Sequence, residues 1–257
     1  MKKLVCLVIL IAMLMIFLSS CDRIKVESND FKNLNYLTPG EFSDDFLEKY
    51  YNSDYQIENM YFVKEKDGEL FIYNGVEDYS HKKNNVYSPA YKGYFLGVNI
   101  GEFGGWLKYY DRLPDDGEPN EVIVAQKNLQ GYQKIDNKRF FSFVGDVPHL
   151  TYKGSTEIYL MEYIDESWAW KSIATLEGAS RSTYYDEESE TLYVVTFGGI
   201  YSVNLCGEVY SYTVPEYFTN LAPNSSVLID GVLYIGTWCG VYAQPTDTQS
   251  GIFYPIK

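Results

Sequence analysis

Histidine is scarce in this chain of 257 residues, which contains only His81 and His149. Neither has a second ligand at metal spacing, and a histidine-based zinc site needs several convergent ligands. No Gly-x-Ser-x-Gly segment marks a serine nucleophile, and no glycine-rich loop has the lysine or the spacing that binds a phosphate. The sequence therefore predicts no metal, no cofactor and no catalytic residue. These expected absences favour a protein that is not an enzyme.

Positive charge is also in short supply. The chain has 21 Lys and Arg residues against 35 Asp and Glu residues, for a net charge of −14. A domain of this sign is repelled by nucleic acid and by anionic lipid headgroups. Nucleic acid is therefore not an expected partner.

Long apolar runs are missing except at the amino terminus. There Lys2 and Lys3 precede an uncharged apolar run over 4–18, which small residues and Cys21 follow. This order is typical of an export signal, and the run is shorter than the roughly 20 residues that span a bilayer.

Residues 18–21, Leu-Ser-Ser-Cys, resemble the lipobox of bacterial lipoproteins. The resemblance implies that residues 1–20 are a signal peptide and that Cys21 is acylated. Acyl chains on Cys21 would hold the domain on the extracytoplasmic face of a cell membrane. The lipid bilayer is then an expected partner through this one residue.

Cysteine is limited to four residues, and two of them are assigned to the amino terminus. Cys6 would leave with the signal peptide, and Cys21 would carry lipid. Cys206 and Cys239 remain, in a compartment that permits disulfides. They form either a disulfide or two small buried hydrophobic side chains, and sequence alone does not choose.

The stretch after Cys21 has two parts. Residues 21–37 have no sustained hydrophobic period and are interpreted as a tether. Helix-start signals at Thr38, Pro39 and Glu41 then predict a short helix over 39–51, within a helical segment spanning 38–55. Its aromatic residues recur every four positions, at Phe42, Phe46 and Tyr50.

Beyond residue 55 the chain changes to short runs rich in Tyr, Phe, Val and Ile, broken by Gly, Asn, Asp and Pro. Such runs are typical of β-strands joined by tight turns. The predicted strands are 69–73, 93–98, 122–125, 139–144, 157–164, 168–176, 192–196, 200–205, 227–229, 232–237 and 251–256. Many are too short and too closely spaced for crossover helices, so we predict an all-β antiparallel fold.

The strands also repeat. Residues 192–201 align without a gap on 233–242, an offset of 41 residues, and weaker copies lie at 93–97, 138–142 and 68–72. A period of about 40–50 residues holding about four strands is the size of a propeller blade.

Residues 230–242 carry the clearest form of this repeat. A turn with Gly231 precedes an apolar strand ending in Gly236 and Thr237, and Gly240 begins the next strand. The segment resembles the repeat of the bacterial two-component regulator propeller family. The resemblance implies a small β-propeller of about four or five blades over residues 56–257, with a β-sandwich or an irregular two-sheet fold as the alternative. It carries over no active site.

The most unusual stretch is 97–107, where four glycines surround Glu102 and two aromatic residues, one of them Trp106. One interpretation is a tight turn or bulge in which backbones approach closely. The other places Glu102 and Trp106 as ligand-binding candidates at a propeller mouth, where aromatic faces beside a carboxylate suit sugars or cationic groups.

A second candidate ligand-binding pair is Asp146 with His149, just after the predicted strand 139–144. A carboxylate near an imidazole raises its pKa and orients its proton, and the alternative is a capped turn. Trp168 and Trp170 alternate as strand residues do, so they share one face. Packing between blades is the expected role of that face.

Three functions remain open. The first is a membrane-anchored extracytoplasmic binding or scaffold lipoprotein with a protein or glycan ligand, for which 26 tyrosines supply contact area. The second is a glycan-active enzyme that uses a carboxylate pair in a propeller funnel. The third is an immunity-type or envelope assembly protein, which predicts a large exposed tyrosine-rich patch.

Overall fold

The computed structural model describes residues 24–26, 60–74, 84–87, 92–100, 104–113, 117–146 and 154–256. Cys21 and the predicted signal peptide, helical segment and most of the tether lie outside these ranges. Secondary structure in the described residues is almost entirely strand, with one 3-10 helix at Glu216–Leu221. Within the same residues no helix has the length and apolar character to cross a membrane.

The strands form five sheets. The first sheet contains β1 (Ile24–Val26), β2 (Tyr61–Lys66) and β3 (Glu69–Asn74). The second contains β4 (Asn84–Tyr87), β5 (Tyr94–Asn99), β6 (Gly105–Tyr110) and β7 (Glu121–Ala125). The third contains β8 (Asn128–Lys134), β9 (Arg139–Gly145), β10 (Ser155–Ile164) and β11 (Ser167–Glu177). The fourth contains β12 (Ser180–Asp186), β13 (Thr191–Thr196), β14 (Ile200–Asn204) and β15 (Val209–Tyr212), and the fifth contains β16 (Ser225–Ile229), β17 (Val232–Thr237), β18 (Gly240–Pro245) and β19 (Ile252–Pro255).

The second to fifth sheets are each four strands in chain order, joined as antiparallel meanders. This is the organisation of propeller blades, so the prediction of an all-β fold built from blade-sized repeats is confirmed. Four copies of the repeat found in the sequence fall on equivalent strands, β5, β9, β13 and β17, while the weak copy at 68–72 falls on β3, the middle strand of the three-stranded first sheet. Each of the four equivalent strands is the second strand of its sheet.

The chain divides into two compact units. Unit 1 contains residues 1–76 and 226–257, and unit 2 contains residues 77–225. Unit 1 therefore holds the first and fifth sheets, and unit 2 holds the second, third and fourth.

In unit 1 the first sheet is joined to the fifth. A β-bridge links Met60, just before β2, to Trp238, just after β17, and β2 contacts both β17 and β18. Strand β1 pairs in parallel with β3. The two-residue turn between β16 and β17 consists of Asp230 and Gly231, with φ angles of 49° and 74°. Positive φ at both positions is the type I′ geometry that Asp-Gly favours in hairpins, so the predicted turn with Gly231 before an apolar strand is confirmed.

In unit 2 each sheet packs on the next one along the chain. Between the second and third sheets lie Phe95, Leu107, Phe140 and Trp168, all buried. Between the third and fourth sheets lies a second apolar cluster, which includes Phe141, Phe143, Ile158, Leu192 and Val194.

Several strands were not predicted, among them β6, β8 and β12. Strand β6 begins at Gly105, inside the glycine-rich segment 97–107, and continues beyond it to Tyr110. Strands β8 and β12 contain many Gln, Ser and Thr residues and lack the apolar alternation that marks a half-buried strand. These segments form strands because of their tertiary packing, and not because their residues prefer strand conformation locally.

A threonine closes the same turn in two of the sheets. Thr196 Oγ1 lies 3.3 Å from the carbonyl oxygen of Gly199 and 2.9 Å from that of Glu177. The residue 41 positions later, Thr237, donates from Oγ1 to the carbonyl oxygen of Gly240 at 2.8 Å. Both threonines are fully buried. The Thr and the Gly of the sequence repeat are therefore joined by a hydrogen bond across the turn between two strands.

We expect Thr196→Val to lower the free energy of unfolding by about 1–3 kcal/mol, because it removes the hydroxyl donor to the Glu177 carbonyl oxygen and the acceptor for the Gly198 N–H while keeping the side-chain volume. Urea denaturation followed by circular dichroism measures the change. Thr175→Val, at an exposed position of β11, is the matched control and should have almost no effect. Equal stabilities of the two variants would contradict this role of Thr196.

Candidate functional site

Trp106 lies on β6, on the face of the second sheet that points away from the third sheet. Cross-strand pairs place Tyr94 opposite Tyr110, Leu96 opposite Lys108 and Val98 opposite Trp106. On the other side of β6, Glu121 is opposite Tyr110 and Ile123 is opposite Lys108. Directly opposite residues project to the same side of a sheet. We name this surface the aromatic face; its residues are Tyr94, Leu96, Val98, Trp106, Lys108, Tyr110, Glu121 and Ile123.

Charged and aromatic groups are linked across the aromatic face. The Lys108 ammonium lies 5.3 Å from the centroid of the Trp106 ring and 2.7 Å from Glu121 Oε1. Tyr110 donates its hydroxyl to Glu121 Oε2 at 2.7 Å. The Tyr110 ring is stacked on that of Tyr94, with centroids 4.8 Å apart and an interplanar angle of 9°. The face is therefore a continuous row in which two aromatic surfaces flank one ion pair.

These contacts shift two pKa values in opposite directions. Burial, and then the hydrogen bond to the Glu121 carboxylate, raise the pKa of Tyr110 to about 12. Hydrogen bonds from Lys108 and then from Tyr110 lower the pKa of Glu121. At neutral pH, Tyr110 is therefore a hydroxyl donor, and Glu121 is a carboxylate whose charge Lys108 offsets.

The aromatic face is only partly covered. Tyr94, Trp106, Lys108 and Tyr110 are half-buried, and Glu121 is exposed. By contrast Leu107, which points to the opposite side of β6, is fully buried. The two sides of the same strand thus differ, one being core and the other a half-buried surface of apolar and polar groups.

Asn128, the first residue of β8, brings together the two segments that the sequence singled out. Its side-chain Oδ1 accepts a hydrogen bond from the Ile100 backbone N–H at 3.0 Å, while its backbone pairs with Gly145, just before Asp146. The β5–β6 turn and the end of β9 therefore lie at one edge of unit 2. A side chain at Gly105 would clash there, since its Cβ would lie 2.8 Å from the Asn128 Cα and 2.2 Å from the Val98 carbonyl oxygen.

Gln130, two residues along β8, extends this link to the fourth sheet. Its Nε2 donates to the Ser155 carbonyl oxygen at 3.0 Å. Its Oε1 accepts from the Ser180 N–H at 2.9 Å and from Thr156 Oγ1 at 2.7 Å. Asn128 and Gln130 thus fix strand ends from three sheets, which gives this edge a rigid base.

The outcomes for the predicted site residues differ. Trp106 lies on the aromatic face, and Asp146 is exposed at the edge that Asn128 organises. Glu102 and His149 lie outside the described residues, so their ligand-binding roles stay predictions, as do those of Trp106 and Asp146. Sequence reasoning missed Tyr94, Lys108, Tyr110 and Glu121. The alternation Trp106, Lys108, Tyr110 was the available signal, because it places three side chains on one face of a strand.

Trp168 and Trp170 lie between blades, as predicted. The Trp168 ring packs edge-on against Phe95 at 5.5 Å and Phe140 at 5.4 Å, and its Nε1 donates to the Lys92 carbonyl oxygen at 3.1 Å. Trp170 contacts Tyr109 with ring centroids 6.1 Å apart. These indoles serve the contact between the second and third sheets.

Metal-ligating groups do not cluster in the described part of the chain, where no three His, Cys, Asp or Glu side chains are placed to hold an ion. Cys206 and Cys239 are both free thiols in the structure, Cys206 exposed and Cys239 buried. Burial raises the pKa of Cys239 to about 12. A thiol of this kind is protonated and unreactive at neutral pH.

We expect a chain that starts after Cys21 to offer one fast-reacting thiol to a maleimide at pH 7, that of Cys206. Cys239 should react only once the protein is unfolded, because its sulfur is both buried and protonated. Mass spectrometry of the modified protein, with and without denaturant, counts the thiols. If neither cysteine reacted in denaturant until a reductant was added, the disulfide considered from the sequence would be present.

No protein-family model and no curated protein matches the chain. Solved structures similar to it include the WD40 β-propeller domain of Doa1 (19% identity, TM-score 0.33, covering 46% of this chain and 37% of that one). Another is a gluconolactonase of Xanthomonas campestris (14% identity, TM-score 0.38, 76% and 64%). A third is PorZ, a surface component of the type-IX secretion system of Porphyromonas gingivalis (11% identity, TM-score 0.30, 73% and 28%).

The chain thus spans between 28% and 64% of the length of these three proteins. Likeness at these identities and TM-scores carries no argument about function. The assignment of blades rests on the meanders of the chain itself.

Proposed function

We propose that this chain is a lipid-anchored, extracytoplasmic binding protein that takes a carbohydrate on the aromatic face of its second sheet. The observation that carries the proposal is the row formed by Trp106, Lys108, Glu121, Tyr110 and Tyr94. Aromatic rings with polar tips offer broad contact to the apolar face of a sugar ring. The ammonium, carboxylate and phenol between them offer donors and acceptors to sugar hydroxyls.

The charges on the face favour a neutral sugar over a cation. Lys108 already lies over the Trp106 ring and offsets the charge of Glu121. A cationic ligand would have to displace the Lys108 ammonium from Trp106 and Glu121. The ammonium would also repel such a ligand at short range. A sugar hydroxyl, in contrast, can accept from Lys108 or donate to Glu121 without breaking their ion pair.

The lipid anchor supports the same function from the amino terminus. Residues 18–21 resemble a lipobox, and acylation of Cys21 would retain the domain at a membrane surface. A binding protein outside the cytoplasm needs such retention if it is to keep its ligand near the cell. Because the acyl chains supply membrane affinity, the aromatic face remains available for the ligand.

We expect Trp106→Ala to weaken binding of a neutral oligosaccharide by about tenfold or more, since about 1.4 kcal/mol corresponds to a factor of ten. The soluble chain is first screened on an array of oligosaccharides, and the affinity for the best ligand is then measured by calorimetry. Trp106→Phe should retain part of the affinity, because a smaller ring still stacks. Tyr210→Ala, which removes an exposed aromatic side chain from the fourth sheet, is the control and should bind normally. Absence of any oligosaccharide binding, or equal losses in the Ala variants at positions 106 and 210, would refute the proposal.

We expect Cys21→Ser to release the protein from membranes in a bacterial host. The unmodified chain should partition into the detergent phase after Triton X-114 extraction. The variant should be found in the aqueous phase wherever its signal peptide has been removed. A variant that is processed and still partitions into detergent would show that another feature anchors the chain.

A further inference from the structure

Strand β7 forms the outer edge of the second sheet, and none of the described strands pairs with its free side. Its Val122 and Ile123 are 43% and 49% exposed. Consecutive side chains of a strand point to opposite faces, so β7 presents apolar surface on both faces. Among the described strands, β7 is therefore an unpaired edge with an exposed apolar side chain on each face.

Native proteins usually protect such edges with charged residues, proline or bulges. The edge strand β11 has the exposed charged residues Lys171 and Glu177, and β19 ends at Pro255. Strand β7 has no lysine and no proline, and its one charged residue, Glu121, is paired with Lys108. Its bulge lies at Val124, between the pairs Leu107–Ala125 and Lys108–Ile123.

The bulge leaves the rest of β7 regular. Residues 121–123 pair in register with β6, and the Asp111 N–H donates to the Asn120 carbonyl oxygen at 3.2 Å, which extends the ladder by one residue. Four consecutive residues, 120–123, are exposed. This is enough for a short segment of another chain to pair alongside.

We propose that β7 is a docking edge for an extended segment of a partner protein with a basic residue beside an apolar, β-branched core. Such a segment would add to the second sheet as a fifth strand, in the mode called β-augmentation. Main-chain hydrogen bonds would supply affinity, and Val122 and Ile123 would contact alternate side chains. Exposed Glu118, just before this edge, on a chain of net charge −14, favours lysine or arginine at the end of the incoming strand.

Strand β15 is the closest comparison, since Val209 is 45% exposed on it. The nearest carboxylate, that of Glu208, accepts a hydrogen bond from Asn204 Nδ2 at 2.6 Å. On β15, Val209 is followed by Tyr210 and Tyr212, whose rings pack edge-on with their centroids 5.0 Å apart. Strand β7 therefore has two adjacent exposed β-branched residues where β15 has one.

The test uses the full chain in mild detergent and a fluorescein-labelled peptide in which alternating threonine and valine residues are flanked by lysines. We expect saturable binding by fluorescence anisotropy. Val122→Lys should weaken it at least tenfold, because a lysine at the edge repels the basic flanks and covers the apolar surface. Val209→Lys, with the same change at similar exposure on β15, should bind as the unmodified chain does.

A second probe makes the result independent of whether a variant folds. The same peptide, methylated on alternate backbone nitrogens, should not bind to the unmodified chain, because its donors for strand pairing are removed. Equal binding of the methylated peptide would overturn the proposal, as would undiminished binding by Val122→Lys. Loss of binding in Val209→Lys alone would overturn the assignment to β7. Val122 projects to the side away from the aromatic face, so oligosaccharide binding should be unaffected by Val122→Lys.

Discussion

Coverage of both faces of the third sheet is the constraint on which the arrangement of unit 2 depends. In β9, Phe140 and Val144 face the second sheet, while Phe141 and Phe143 face the fourth. All of these side chains are fully buried. A sheet with large aromatic residues on both sides cannot be stable with one face in water. It requires a neighbour on each side, and the preceding and following meanders of the chain provide them.

Stacking of the sheets brings the ends of their strands together and creates a need for polar contacts. Backbone groups at the turns are not paired within the strand ladders, and they lie where neighbouring sheets meet. A buried backbone group without a hydrogen-bond partner lowers the stability of the fold. Asn128 and Gln130 meet this need from the first strand of the third sheet, because an amide side chain both donates and accepts. Thr196 and Thr237 do the same within their own turns. The candidate binding edge of unit 2 is therefore a consequence of how its core is packed.

Sequence patterns predicted the parts of the fold that depend on local structure. The gapless repeat between residues 192–201 and 233–242 and the Asp230-Gly231 turn identify hairpins whose signals lie within a few residues. The polar strand β8 has no such signal, because its role is to contact other sheets. The candidate site follows the same rule. Composition pointed to Trp106, but Tyr94 and Glu121 join it only through the strand register. The link from Ile100 to Asn128 spans 28 positions, and it depends on tertiary packing.

The aromatic face differs from the packed faces of unit 2 in its mixture of charged and aromatic side chains, which supports the proposed ligand-binding role. If it served packing alone, an ion pair at its centre would be a disadvantage, since replacing a buried pair with apolar side chains is often neutral or stabilising. The third sheet meets that expectation with aromatic and aliphatic residues on both faces. On β6 the same strand supplies Leu107 to the core, and Trp106, Lys108 and Tyr110 to the half-buried side. Lys108 and Glu121 leave this surface polar enough to be wetted and to exchange water for hydroxyl groups. Their presence among aromatic rings fits the proposed carbohydrate surface better than a packed core.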